Sequence, residues 1–291
     1  MSRVGEDSVA ECLAGRISPE VALARLLLGG AGGADAIGHL LAERRPEPYP
    51  EPPRARWSAM AALAAERGPA LDALAAEIAA TASDHTAIGA TPAGVAAFFD
   101  RAAAHSPEAG VALFSLGDPV ILAAATGEVV AWLREQGLLR PGADVLDLGC
   151  GFGRVAAALA PGCRSVLGLD VSAGMIAEAR RRHAGIANAR FETTPGVGLT
   201  MLPPAGFDLV LAVDSFPYIV QAGLAPAHLA GAALALRPGG ALAVLNLSYG
   251  RGIEADRADA TAWAAASGFA LEVGGARPFT LWDGTVWVFK R

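Results

Sequence analysis

Asp144-Val145-Leu146-Asp147-Leu148-Gly149-Cys150-Gly151-Phe152-Gly153-Arg154 reads as a strand that runs into a bend and then into a helix. Glycines at alternate positions let the backbone turn sharply and come close to a ligand. A helix is expected over Val155 to Ala160, and its first N–H groups point back at whatever the bend holds.

The pattern repeats downstream. Ser165 to Asp170, Phe207 to Asp214 and Ala241 to Leu247 are nearly continuous apolar runs, as in strands covered on both faces. Helical patterns fit between them, over Ala173 to Ala184 and Pro226 to Leu236. Pro238-Gly239-Gly240 predicts a tight turn between a helix and a strand. Phe269 to Val273 and Thr285 to Lys290 read as two closing strands, with Trp282 and Trp287 expected to cover the sheet face. This alternation predicts an α/β fold, an open and mostly parallel sheet with helices on both sides.

Residues 1 to 115 differ. They are rich in alanine and leucine, with no convincing strand and repeated helix-start signals: Ser18-Pro19-Glu20, Thr91-Pro92 and Ser106-Pro107-Glu108. Val21, Leu23, Leu26 and Leu27 recur at helical spacing before Gly29 to Gly33 break the run. Arg45 to Pro53 reads as an extended connector, followed by helices near Arg54 to Arg67 and Pro69 to Thr81. The expected organisation is an all-helical region over 1–115 and a ligand-binding domain over 116–291. A lid, substrate recognition and homodimerisation all remain open to the helical region.

The chain of 291 residues is 53% hydrophobic and 18% charged, which suits a packed core and not disorder. With a net charge of -6 and one tight basic cluster, Arg180-Arg181-Arg182, no nucleic-acid partner is expected. Cys12, Cys150 and Cys163 match no zinc or disulfide spacing, so no metal is expected. Met1 to Cys12 lacks a secretory pattern, and Ser215 to Leu236, though uncharged, contains Pro217, Gln221, Pro226 and His228. It reads as loop plus core helix, so no membrane partner and a cytoplasmic location are expected.

In an open parallel sheet, ligands bind past the carboxyl ends of the strands. Asp170 ends the second strand, 19 residues after Gly151, where an acid accepts hydrogen bonds from a ribose diol. A dinucleotide bend usually reads G-x-G-x-x-G. Here the spacing is G-x-G-x-G with Asp147 two residues ahead. That acid opposes a pyrophosphate and suits a ligand carrying an amino group and a sulfonium.

These residues resemble the first motif of the class I, seven-stranded S-adenosylmethionine-dependent methyltransferases. Gly168-Leu169-Asp170-Val171-Ser172 with Met175, Phe207-Asp208-Leu209-Val210, and Leu236-Arg237-Pro238-Gly239-Gly240 resemble further motifs of that family, in order, over residues 120 to 291. The resemblance implies a Rossmann-like sheet whose reversed last strand, Thr285 to Lys290, lies beside the fifth. It implies S-adenosyl-L-methionine as cofactor. Asp147, Gly149, Cys150, Gly151 and Gly153 would hold its methionine part, with no reactivity assigned to Cys150. Asp170 would hold the ribose, and Val171 and Met175 would pack on the adenine. Where the family often has an acid for the adenine amino group, this chain has Pro195, so Pro195, Gly196 and Val197 are assigned to the adenine by their backbone. Asp214 would lie near the sulfonium.

Methyl transfer needs orientation above all, and a base only if the acceptor must lose a proton. Asp214 and Tyr218 are the catalytic candidates, and Phe99, Arg101, His228 and Tyr249 the candidates for contacting a small-molecule acceptor. Asp100, His85 and His105 could also reach the cleft, and Phe98 and Phe114 could line it. Each has an ordinary alternative: cap, salt bridge or core packing. Three functions remain open: a methyltransferase acting on an O, N or C atom, a non-catalytic cofactor-binding module acting through its helical half, and a nicotinamide-dependent oxidoreductase.

Overall fold

The computed structural model describes residues 3–44, 51–81, 91–105, 112 and 115–291. His85, Phe114, the Ser106-Pro107-Glu108 helix start and most of the connector expected over 45–53 lie outside them, as does the side chain of His105. Two compact units divide the chain. One comprises Met1–His85, Glu108–Ala125 and Phe279–Asp283, the other Thr86–Pro107, Thr126–Pro278 and Gly284–Arg291.

In the first unit, helices α1 (Arg3–Leu13), α2 (Pro19–Leu28), α3 (Ala34–Glu43), α4 (Pro53–Glu66) and α5 (Gly68–Thr81) pack together. Ser18 caps α2 as its sequence predicts, its hydroxyl accepting the Val21 N–H at 3.3 Å. Val21, Leu23, Leu26 and Leu27 are all buried. Arg25 joins this unit together, donating from Nη1 to Glu11 at 2.5 Å and from Nε to Asp283 at 2.8 Å. The segment 279–283 therefore leaves the sheet, and Trp282 stacks on Phe279 with ring centroids 5.6 Å apart. That corrects its expected place on the sheet face. Trp287 does lie there, fully buried.

The second unit is built on a seven-stranded sheet of β1 (Ala143–Leu148), β2 (Cys163–Asp170), β3 (Ala189–Thr193), β4 (Phe207–Val213), β5 (Leu236–Leu245), β6 (Ala270–Ala276) and β7 (Val286–Lys290). Their order is β3-β2-β1-β4-β5-β7-β6. The first five are parallel, while β7 runs antiparallel between β5 and β6, as the resemblance implied. Helices α6 (Pro92–His105), α8 (Arg154–Leu159), α9 (Ala173–Arg182), α10 (Phe216–Gln221), α11 (Ala225–Ala235) and α12 (Ile253–Ser267) belong to it; α7 (Pro119–Glu135) begins in the first unit and ends in the second. The order reverses between β1 and β4, so the carboxyl ends of those strands open a crevice.

Pro238-Gly239-Gly240 corrects a second expectation. These residues lie inside β5, not in a turn before it. Phe207 pairs with Leu236 and Leu209 with Ala241, so five steps on β5 oppose two on β4. The surplus is absorbed as a bulge, with Gly239 at φ 77°.

At the opposite, amino-terminal ends of the strands, Asp144 accepts from Arg164 Nε at 2.9 Å, Ser165 Oγ at 2.7 Å and Arg237 Nη2 at 2.8 Å. Arg237 also donates to Asp208 at 2.7 Å. On α9, Arg181 is exposed and pairs with Glu178, as expected of a solvated face, whereas Arg182, also paired with Glu178, is half-buried over the Phe152 ring. No helix among the described residues is long and apolar enough to cross a membrane.

Candidate active site

The bend after β1 is shaped from below by protein atoms. Gly149 sits at φ 71°, and a side chain there would collide with Ser215, whose hydroxyl donates to Leu148 O at 2.6 Å. A Cβ on Gly153, at φ 82°, would meet the Phe191 ring at 2.6 Å and His183 at 3.0 Å. Both glycines are thus required by the fold itself as well as by any ligand. Gly153 offers no side chain to cap α8. Asp147 does so from within the sheet, its Oδ2 accepting the Ala156 N–H at 3.1 Å.

Asp147 is 1% exposed. Burial pushes its carboxyl up to about 7, although Arg154 and the Ala156 N–H favour the ion. Asp170 accepts the Gly151 N–H at 2.8 Å through one oxygen and the Ser172 N–H at 2.9 Å through the other. It too is raised by burial, against those same N–H groups. The acid ending β2 therefore touches the middle of the glycine bend directly.

Arg154 was missed by the sequence reading. It is the first residue of α8, where the positive end of the helix dipole disfavours a cation. That misfit was the available signal. Its Nη1 donates to Thr126 at 2.7 Å, and it interacts electrostatically with both Asp147 and Asp214. Burial lowers its pKa while those two carboxylates raise it.

Past the ends of β4 and β5, Asp214 and Asn246 adopt left-handed backbone, at φ 57° and φ 75°. Such strain in residues other than glycine clusters at functional sites. Asn246, also missed, donates from Nδ2 to Asp214 Oδ1 at 2.8 Å. Tyr249 donates its hydroxyl to the same oxygen at 3.0 Å. Tyr218 meets Tyr249 edge to face at 5.7 Å, and Phe99 meets Tyr218 likewise at 5.5 Å. Four of the residues singled out in the sequence, Asp214, Tyr218, Tyr249 and Phe99, thus come together.

Others are placed differently. Burial pushes the Tyr218 hydroxyl up to about 12, the Asp214 charge adding to it. Tyr249 is raised as well, by burial of its hydroxyl and by Asp214, while its ring stays half-exposed. Both phenols hold their protons more firmly than a free phenol does. His228 is 2% exposed, with Nδ1 3.0 Å from the Leu224 carbonyl one turn back, and its ring is committed to α11. Arg101 is exposed on α6. Asp100 does reach the carboxyl end of β2: its Oδ1 accepts from Ser172 Oγ at 2.6 Å and from Gly174 N–H at 2.8 Å, capping α9, and its charge acts on Asp170.

In the adenine region, Met175 is fully buried, Pro195 and Val197 are exposed, and a Cβ on Gly196 would meet Val171 and Pro92. Cys150 is buried and its thiol is raised well above its usual value by burial and then by Asp147 and Asp170. That fits its assignment as unreactive. Three carboxylates set around a left-handed glycine bend form a cradle for a cationic nucleoside, and the donor set fits S-adenosylmethionine.

Comparisons with known proteins agree with this geometry. Residues 145–240 match the family described as "Methyltransferase domain". The chain is 41% identical over 105 residues to trans-aconitate 2-methyltransferase of Methylobacterium nodulans, a match spanning 35% of this chain and 37% of that protein. Among solved structures, magnesium protoporphyrin IX methyltransferase of Synechocystis PCC 6803, with S-adenosylmethionine bound, covers 69% of this chain and 96% of its own at TM-score 0.53 and 22% identity. The methyltransferase bound to the Haloferax volcanii Trm112 activator covers 66% and 96% at TM-score 0.50 and 18% identity. Those two likenesses establish the fold. The glycine bend and the strand-end acids Asp147, Asp170 and Asp214 thus lie within the part of the chain, residues 145–240, that matches the methyltransferase-domain family.

Proposed function

We propose that the chain transfers the methyl group of S-adenosylmethionine to an O, N or C atom of a small molecule. The observation that carries this reading is the pair of buried acids, Asp147 and Asp170, closed around one glycine bend at the strand-order switch. When bound, the cofactor supplies an electrophilic methyl on a sulfonium that departs as a neutral thioether. The chain's own residues then have three tasks. Asp147 and Arg154 bracket the methionine part, and Asp170 takes the ribose hydroxyls in place of the Gly151 N–H. Asp214, held by Asn246 and Tyr249, orients the acceptor and takes its proton where one is released.

We assign the helical region over 1–115 to acceptor recognition or assembly, and residues 116–291 to cofactor binding and transfer. Incubation with S-adenosylmethionine labelled in the methyl group and a panel of metabolites tests the activity. Labelled product is the expected result. Tight cofactor binding with no product from any acceptor would favour the non-catalytic binding module instead.

A further inference from the structure

The acceptor end of this crevice carries a distinct chemical signature. Phe99, Tyr218 and Tyr249 form a continuous row of rings in edge-to-face contact, which suits the face or edge of a planar apolar molecule. The row ends on Asp214. Asn246 offers Asp214 Oδ1 an amide N–H, so that oxygen is an acceptor, and the Tyr249 hydroxyl is turned to it as well. The two contacts fix the carboxylate in one orientation. A group docking against it is therefore favoured when it brings a proton or a positive charge.

The local charge balance points the same way. Arg154 donates to Thr126 and is set beside Asp147 and Asp214, while Asp170 adds a further carboxylate at the glycine bend. Arg251, two residues after Tyr249, pairs with Asp259 at 2.7 Å, and the further cation close in sequence to the ring row is Arg101. It lies two residues from Phe99 on α6, and helix positions that far apart do not share a face. Among the described residues, the guanidinium of Arg154 is already set against Asp147 and Asp214 and that of Arg251 against Asp259, so a polycarboxylate docked on the ring row would meet the Asp214 carboxylate. Rejection by like charge is as effective a source of specificity as attraction.

Resting on the methyl-transfer reading above, we propose that the acceptor is a planar, largely apolar molecule bearing an amine or hydroxyl, and that polycarboxylates are excluded. The nitrogen or oxygen lone pair forms the bond to the methyl carbon, the carbon–sulfur bond breaks with its electron pair staying on sulfur, and the acceptor's proton leaves to Asp214 or to water. The chain would thus differ in acceptor from the trans-aconitate enzyme it partly resembles.

The test compares labelled methyl transfer to aromatic amines and phenols with transfer to trans-aconitate and citrate, alongside calorimetry with S-adenosylhomocysteine. Transfer to the amine and phenol set is expected to exceed transfer to the carboxylates by about tenfold or more in kcat/KM. Tyr249→Phe keeps the ring and removes the hydroxyl, and is expected to lower kcat/KM about tenfold at an unchanged thermal midpoint. Asp214→Asn is expected to narrow the preference against carboxylates. Preferred methylation of trans-aconitate or citrate, or transfer to neither set while S-adenosylhomocysteine still binds, would overturn the acceptor class and leave the cofactor reading standing. Absence of S-adenosylhomocysteine binding would instead overturn the reading beneath it.

Discussion

Asp147 links proton binding to both folding and ligand capture. Its folded-state pKa is raised from 3.8 to about 7, chiefly by burial. An acid raised on folding contributes most favourably below its unfolded value, and that contribution is lost as pH rises from about 4 toward about 7. Urea denaturation across that range is expected to show a falling slope that Asp147→Asn flattens. A cationic ligand prefers the ionised form. Relative to Asp147→Asn, the wild type is therefore expected to lose about tenfold in S-adenosylmethionine affinity between about pH 8 and pH 6. A slope shared by both proteins would separate Asp147 from the ligand. Asp170→Ala is expected to weaken S-adenosylhomocysteine binding by about 1–3 kcal/mol, read by calorimetry, through lost hydrogen bonds. At this scale the nearness of the two acids to the bend was legible in sequence, because Asp147 lies in the strand that runs into it and Asp170 ends the next strand. Asn246 was not, since its partner Asp214 lies 32 residues away on a neighbouring strand. The burial of His228 was not legible either, because an uncharged helix gives no hint of which face is buried.

At the scale of elements, two contacts divide stability from function. Arg237 joins the amino-terminal ends of β1, β4 and β5 through Asp144 and Asp208. Arg237→Ala leaves the buried Asp144 with one cation fewer and is expected to cost about 1–3 kcal/mol of stability, with S-adenosylhomocysteine affinity unchanged. Asp100 fastens α6 to the start of α9 through Ser172 and Gly174. Asp100→Ala is expected to cost about 1 kcal/mol, in line with loss of a helix cap, measured by denaturation. Strands buried on both faces announced themselves as apolar runs. The bulge at 238–240 did not, because proline and glycine carry the same signal in a turn and in an irregular strand. Nor did the excursion at 279–283, which is held by Arg25, 258 residues from Asp283. Pairing over such a distance leaves no local trace.

Within the sheet, the glycine bend, Asp170 and the Asp214 cluster lie at the same ends of the parallel strands, beside one strand-order reversal. The place of β7 between β5 and β6 followed from family resemblance and not from its own residues, whose alternation is weak. Phe99 on α6, Tyr218 on α10 and Tyr249 after β5 meet only in three dimensions, so their grouping was not legible in the sequence. The central claim is that the bend cradles a cationic sulfur nucleoside and not a dinucleotide. Calorimetric titration of the full chain with S-adenosylhomocysteine and, separately, with NAD tests it most directly. Saturable one-to-one binding of S-adenosylhomocysteine with no heat from NAD is the expected result. Binding of NAD alone would contradict the account.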